Sequence, residues 1–378
     1  MLKTLAEIFW EMFKITTFVI GGGYSILAVA EDVFSKKGWT REGELLDNLP
    51  VFQMIPGLIA THTAVYVGRK RAGIRGALVG VLAVALPAVG IFTLVSVWYQ
   101  KIPLDNPYLG SAFVGLRAAL TGIIAATIVR GWARSLPNAF AYALMAATVA
   151  ALALGIPAWR VLVAAIFIGL VTALFNNPNT QTIKQPKQSD TKRFSCSVLP
   201  LLLFLEYGAL CFGGGFVLVP MYIEDFVGPA APYLQIAEDE FSNIMAITQM
   251  TPGPIGVNAA TFFGYRLGGV SGALIASAFL LLPGSVICYL VISSLERFQT
   301  SPITQGILRG IRPASVGLML VALWAFARMT VFDTAGAFHW AGLVLAAAVG
   351  VLMYLRKVSV IRLIVLSALA GLLLETLF

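Results

Sequence analysis

Charge is scarce in this chain. Asp, Glu, Lys and Arg make up 12% of its 378 residues, against roughly 25% in an ordinary soluble domain. Histidine is scarcer: His62 and His339 are too few for a conventional metal site without nearby ligands. The three cysteines, Cys196, Cys211 and Cys288, are odd in number and lack metal-ligand spacing. Cys211 and Cys288 sit in apolar stretches and read as small buried hydrophobes. No nucleophile elbow or Walker sequence occurs, and a glycine triplet without a following GK[ST] is not a phosphate loop. These absences leave no nucleophile–base or metal constellation, so neither a catalytic residue nor a cofactor is expected.

Apolar residues are abundant, at 58%. Long apolar stretches recur along the whole length, which predicts a polytopic membrane protein. Lys3, Glu7, Glu11 and Lys14 stand at helical spacing at the start. Acidic residues there argue against a cleaved signal peptide. The net charge of +8 could suggest nucleic acid. The basic residues instead sit in short loops between apolar spans, as the positive-inside rule predicts, so no nucleic-acid partner is expected.

The chain also states one pattern twice. Residues 20–31 read IGGGYSILAVAE and 212–224 read FGGGFVLVPMYIE. Residues 53–68 read QMIPGLIATHTAVYVG and 249–264 read QMTPGPIGVNAATFFG. The register continues through Gly73 and Gly269, Pro87 and Pro283, and Arg117 and Arg312. A repeat this long is a duplicated membrane domain, as in many transporters.

Each half offers six apolar segments: 5–30, 46–66, 74–98, 111–130, 138–154 and 158–175, then 198–223, 242–263, 270–293, 306–327, 338–354 and 359–377. The expected organisation is therefore an N-terminal membrane repeat (1–175), a polar linker (176–197) and a C-terminal repeat (198–378). The second segment of each half carries Pro-Gly in its interior. Proline and glycine break helix, and freed backbone groups need protein or water partners in hydrocarbon. A re-entrant hairpin is expected there, leaving about five crossings per half. Basic residues test that topology. With a cytoplasmic linker and both termini outside, 18 of the 26 Lys and Arg fall inside and 6 outside. If all twelve segments cross, the split is 14 to 10. The first arrangement obeys the positive-inside rule better. Its odd crossing number makes the halves inverted repeats, in an all-α protein of the cell inner (plasma) membrane.

FGGGF-VLVP-MYIEDFV, QMTPGPIGVNAATFFGYRLGGVSGAL and LLPGS together resemble the signature of the chromate transporter family. The first half is similar more loosely, with Leu58 where the second has Pro254 and His62 where it has Asn258. The resemblance spans both repeats, as in a fused two-repeat member. It implies proton-driven efflux of chromate, with sulfate as the structural analogue, and hence a role in chromate resistance. An antiporter using protons is the expected mechanism; a passive anion channel is the alternative, and a membrane enzyme or scaffold a more distant one. A homodimer is left open.

Several residues could form the site. Gly22 and Gly23 with Tyr24, and Gly214 and Gly215, break a helix and expose N–H groups beside a positive dipole end, an anion site or a close packing surface. Pro56 and Gly57, and Pro252 and Gly253, would turn the hairpins. Around them Thr61, His62, Thr63, Gln249, Asn258 and Thr261 would offer donors to a tetrahedral dianion, or merely satisfy a kink. Arg117 and Arg312 occupy equivalent places inside spans, where they could clamp a dianion or snorkel to the interface. Glu31, Glu224 and His62 are candidates for proton coupling, beside the plainer roles of helix-end solvation and structural hydrogen bonding.

Overall fold

The computed structural model describes residues 1–19, 23–101, 107–175, 199–212, 215–292, 302–332, 338–355 and 360–377. These form α-helices, one short 3₁₀ turn and no β-strand among the described residues. In the first half they are α1 (Leu2–Phe18), α2 (Gly23–Lys36), α3 (Glu44–Asp47), α4 (Leu49–Met54), α5 (Ile59–Tyr99), α6 (Pro107–Ser135), α7 (Ala139–Ala153) and α8 (Ala158–Phe175). The second half holds α9 (Leu199–Leu210), the 3₁₀ turn Gly215–Leu218, α10 (Val219–Phe226), α11 (Glu238–Met250), α12 (Ile255–Ile292), α13 (Pro302–Val331), α14 (Trp340–Leu355) and α15 (Val360–Leu377). Four of them, over Ile59–Tyr99, Tyr108–Ala133, Ile255–Ile292 and Gln305–Val331, are long and apolar enough to cross a membrane. The chain is an all-α polytopic membrane protein.

The longest helices are each folded back on themselves. In α5 the helical angles fail at Ala72 (φ −148°) and Gly73 (φ +60°), and in α12 at Gly268 (φ −155°) and Gly269 (φ +60°). A positive φ suits glycine, which has no Cβ to clash. Beyond each turn the second arm lies against the first. Gly68 meets Gly76 and Ala64 meets Gly80; Gly264 meets Gly272, and Thr261 bonds Ser277 at 2.7 Å. Small residues line this seam because helices in lipid associate through close van der Waals packing. Large ones point outward instead: Leu78, Leu82 and Leu86 on α5, and Val270, Leu274 and Leu282 on α12, are half or more exposed, save Leu86 at 49%.

Preceding each first arm is a shorter helix running antiparallel to it. Glu44 pairs with Lys70 while Phe52 packs on Tyr66; Glu240 pairs with Arg266 while Phe241 packs on Phe263. The second apolar segment of each half is thus the hairpin its proline implied. The hairpins open at opposite ends of the molecule. Tyr289, late in α12, takes Arg69 over its ring beside the open end of the first hairpin. Tyr99, which ends α5, packs on Phe262 beside the open end of the second.

The first apolar segment differs from expectation. It breaks after Phe18 and returns as α2, so it does not cross. Glu11 lies 3.2 Å from Lys37, and Glu7 lies 3.8 Å from Arg71. The start of α1 therefore shares an end with residues 36–44 and 69–75, termed the first end. In the second half Phe204 stacks on Phe226 and Tyr207 bonds Asp225, so α9 and α10 form the equivalent hairpin. The sequence explains the change: a glycine run disfavours helix, and Lys3, Glu7, Glu11 and Lys14 along α1 are costly to bury in hydrocarbon. The second arm of α5 with α6, α7 and α8, and the second arm of α12 with α13, α14 and α15, make up the rest of the described halves. The termini also separate, because Gly371 of α15 touches Ser111 near the start of α6, at the second end. An arrangement with both termini on one side is corrected accordingly. The linker falls outside the described residues.

The halves exchange helices. α8 and α7 pack on α13 of the other half, and α15 and α14 pack reciprocally on α6. Glycines make the crossings close: Gly169 meets Gly306 and Gly310 meets Ala165, while Gly115 meets Ser367 and Gly122 meets Ala346.

The seam supports a direct test. A methyl at Gly76 would run into the Gly68 carbonyl, whereas one at Gly90 meets nothing within 4 Å. Gly76→Ala should lower stability by about 1–3 kcal/mol through overpacking. Gly90→Ala, in the same helix, should be neutral or stabilising by about 0.5–1 kcal/mol. Thermal melts of the purified variants in detergent check both signs.

Candidate functional site

Each re-entrant hairpin turns at its Pro-Gly pair. Gly57 has φ +116° and Gly253 φ +104°, a region that side chains strain to adopt. Breaking a helix in the interior strands carbonyls of the turn before it. One side chain per half answers them. His62, fully buried, faces the Phe52 carbonyl through Nδ1 at 3.0 Å and the Pro56 carbonyl through Nε2 at 3.1 Å. Asn258, also fully buried, donates from Nδ2 to the carbonyls of Thr248, Thr251 and Pro252 at 3.2, 3.3 and 3.4 Å. Both residues reach ten and six positions upstream. His62 and Asn258, which occupy equivalent positions in the two halves, are therefore one device.

The tips are seated on the opposite half. The Gly57 N–H donates to the Cys211 carbonyl at 2.7 Å. A Cβ on Gly57 would come 2.9 Å from the Gly284 Cα, and one on Gly253 would come 2.9 Å from the Ala88 Cβ. Ala88 and Gly284 follow the equivalent prolines Pro87 and Pro283. The repeat had paired Pro87 with Pro283, but pattern alone does not tell that the residue after each receives the other half's tip.

Helix starts converge here. α5 begins at Ile59 and α12 at Ile255, just past the tips. Gly23, which opens α2, lies against Ile59 and the Ala60 N–H; Gly215, which opens the 3₁₀ turn into α10, lies 2.8 Å, by its ideal Cβ, from the Gly256 nitrogen. Leu58 in turn touches Gly256, linking the two sets. Four half-helices thus direct their N-terminal ends toward the middle. Residues 53–63 and 249–261 contain no Asp, Glu, Lys or Arg. The local field comes from backbone dipoles, positive at these ends. Gly22 and Gly214, and the side chain of Tyr24, lie outside the described residues.

The polar side chains divide. Thr61 Oγ1, Gln249 Nε2 and Asn258 Oδ1 are buried without a hydrogen-bond partner among the described residues. Thr63 bonds the Ile59 carbonyl, and Thr261 bonds the Val257 carbonyl and Ser277, so both serve helix packing. The arginines do not join them. Arg117 Nε donates to Asn243 Oδ1 at 2.8 Å, near the second end, while Arg312 lines a cavity at the first end. Asn243 had no sequence signal as a partner.

The acidic candidates sit at the ends. Both oxygens of Glu31 accept backbone N–H groups, from Gly43 and Leu45 at 2.8 Å each, which secures the start of α3. Glu224 accepts from the Ala158 N–H at 3.4 Å. Burial raises the Glu224 carboxyl above its ordinary range, with that N–H opposing. Of the clasps that close the hairpins, burial acts to raise Glu44, but Lys70 and Tyr66 hold it below the usual range. At Glu240 burial prevails over Arg266 and the carboxyl is raised.

Comparison with known proteins bears on this arrangement. A chromate transport protein from Cupriavidus metallidurans is 24% identical over 98% of this chain and 93% of its own length. One from Pseudomonas aeruginosa is 23% identical over 97% of this chain and 91% of its own. An uncharacterized transporter of Bacillus subtilis, YwrA, is 30% identical over 34% of this chain and 70% of its own, so it pairs with one half. No solved structure matches the chain. The chromate transporter family profile matches residues 6–170 and 200–372, which are the two halves whose hairpin tips meet. The chain belongs to the chromate transporter family.

Proposed function

We propose that this protein is a secondary active carrier that exports chromate or a related oxyanion such as sulfate across the plasma membrane, coupled to protons. The observation that carries the reading is the meeting of four half-helix starts around two Pro-Gly tips with no charged side chain among them. Each helix start stabilises an anion by about 0.3–1 kcal/mol, and up to about 2 kcal/mol when partly buried. Several together hold a dianion without an ion pair. Such a site also releases its anion readily, as transport requires.

Hairpins entering from opposite ends suit alternating access, in which one repeat moves against the other around a central site. The halves 1–175 and 198–378 are then inverted repeats. Lys36, Lys37, Arg41 and the run Arg69 to Arg75 gather at the first end. Glu224, Asp225 and Glu238 to Glu240 gather at the second. The positive-inside rule puts the first end in the cytoplasm, with the N-terminus inside. Cysteines introduced at residues 72 and 268 should label from opposite faces of intact cells. Labelling of both from one face removes the inverted arrangement.

Sulfate and chromate uptake into proteoliposomes with an imposed pH gradient tests the activity. A saturable, gradient-dependent flux is expected; a flux linear in concentration and indifferent to the gradient indicates a channel. Gly215→Leu, whose side chain would fill the space at Gly256, should cut the flux at least tenfold while the protein still purifies as a monodisperse species.

Proton coupling is assigned to His62. Neutral imidazole carries one N–H, yet both ring nitrogens face carbonyls. A second proton would let it donate to both, as the Asn258 amide does in the other half. The carboxylates Glu31 and Glu224 lie at the ends, and the Cys288 thiol points at the His62 backbone carbonyl rather than at its ring. His62→Asn should fold and transport but lose the dependence of flux on pH. An unchanged pH profile assigns the coupling elsewhere.

A further inference from the structure

We infer that a cavity of about 620 Å³ at the first end is a second anion site, built for a phosphate-type oxyanion and separate from the hairpin tips. On α13, Gln305, Arg309 and Arg312 recur at i, i+4 and i+7, which places them on one helix face, and all three line the cavity. Arg309 is exposed and Arg312 half-buried. Ser135, at the end of α6, and Asn138, which caps α7, stand on the other wall. Asn138 Oδ1 accepts the Ala141 N–H at 3.0 Å, so its remaining polar group is the amide donor. No carboxylate is among the described residues that line the cavity.

Two guanidinium groups one turn apart present planar forks that match a tetrahedral oxyanion. None of the tip residues borders the cavity, and the position equivalent to Arg309 in the first half is Val114. The Arg309–Arg312 pair therefore has no counterpart in the first half. The same chemistry fits a free oxyanion gathered before transport or the phosphate of an anionic lipid headgroup. The inference does not depend on the central site carrying chromate.

Arginine modification by phenylglyoxal, read at single peptides by mass spectrometry, tests it with a local signal. The whole protein is placed in phosphatidylcholine nanodiscs with and without inorganic phosphate, and in phosphatidylglycerol nanodiscs without phosphate. Arg41, whose side chain is 89% exposed, is the internal reference. Modification of Arg309 should slow at least fivefold relative to Arg41. Slowing by phosphate in phosphatidylcholine identifies a free oxyanion, and slowing in phosphatidylglycerol alone identifies a lipid headgroup. Arg312→Gln should remove the protection. Equal Arg309 rates in all three conditions overturn the proposal, as does full protection in Arg312→Gln.

Discussion

Backbone groups that a broken helix leaves unpaired inside a membrane set the terms for this protein. Hydrocarbon offers them no water, so every break must bring its own partners. At the two Pro-Gly tips those partners are His62 and Asn258, each aimed at carbonyls ten and six residues upstream. The Gly57 N–H finds its acceptor across the repeat boundary, on Cys211. The breaks are tolerated because both halves are present: one half's tip is completed by the other.

Close packing makes that mutual support rigid. Folded-back α5 and α12 press small residues together along their seams and turn large ones outward to lipid. The exchange of α7 and α8 for α14 and α15 ties each repeat to the other's long helix. A half on its own would leave these glycine-lined crossings open and its tip unseated.

The electrostatics follow from the same breaks. Interrupting a helix in mid-membrane yields a helix start where an anion can reach it. Four such starts meet at the tips, where residues 53–63 and 249–261 carry no Asp, Glu, Lys or Arg. Glu44 with Lys70 and Glu240 with Arg266 clasp the hairpins at their open ends.

The sequence alone determined the helical class, the duplication and the hairpin nature of the second segments. Apolar run length, a shared register and mid-segment Pro-Gly are local properties with few physical outcomes. The first segments were misread as crossings, since hydropathy is equal for a helix that passes through and one that turns back. Tertiary contact decided that, through Glu11 meeting Lys37. The likeness of His62 to Asn258 was equally invisible, because an imidazole and an amide share donors rather than shape. Arg117 and Arg312 looked like a pair from their equivalent register, yet the packing puts them toward opposite ends. Register reports descent along the chain; only the fold decides which equivalent positions converge, and here it joins the tips and parts the arginines.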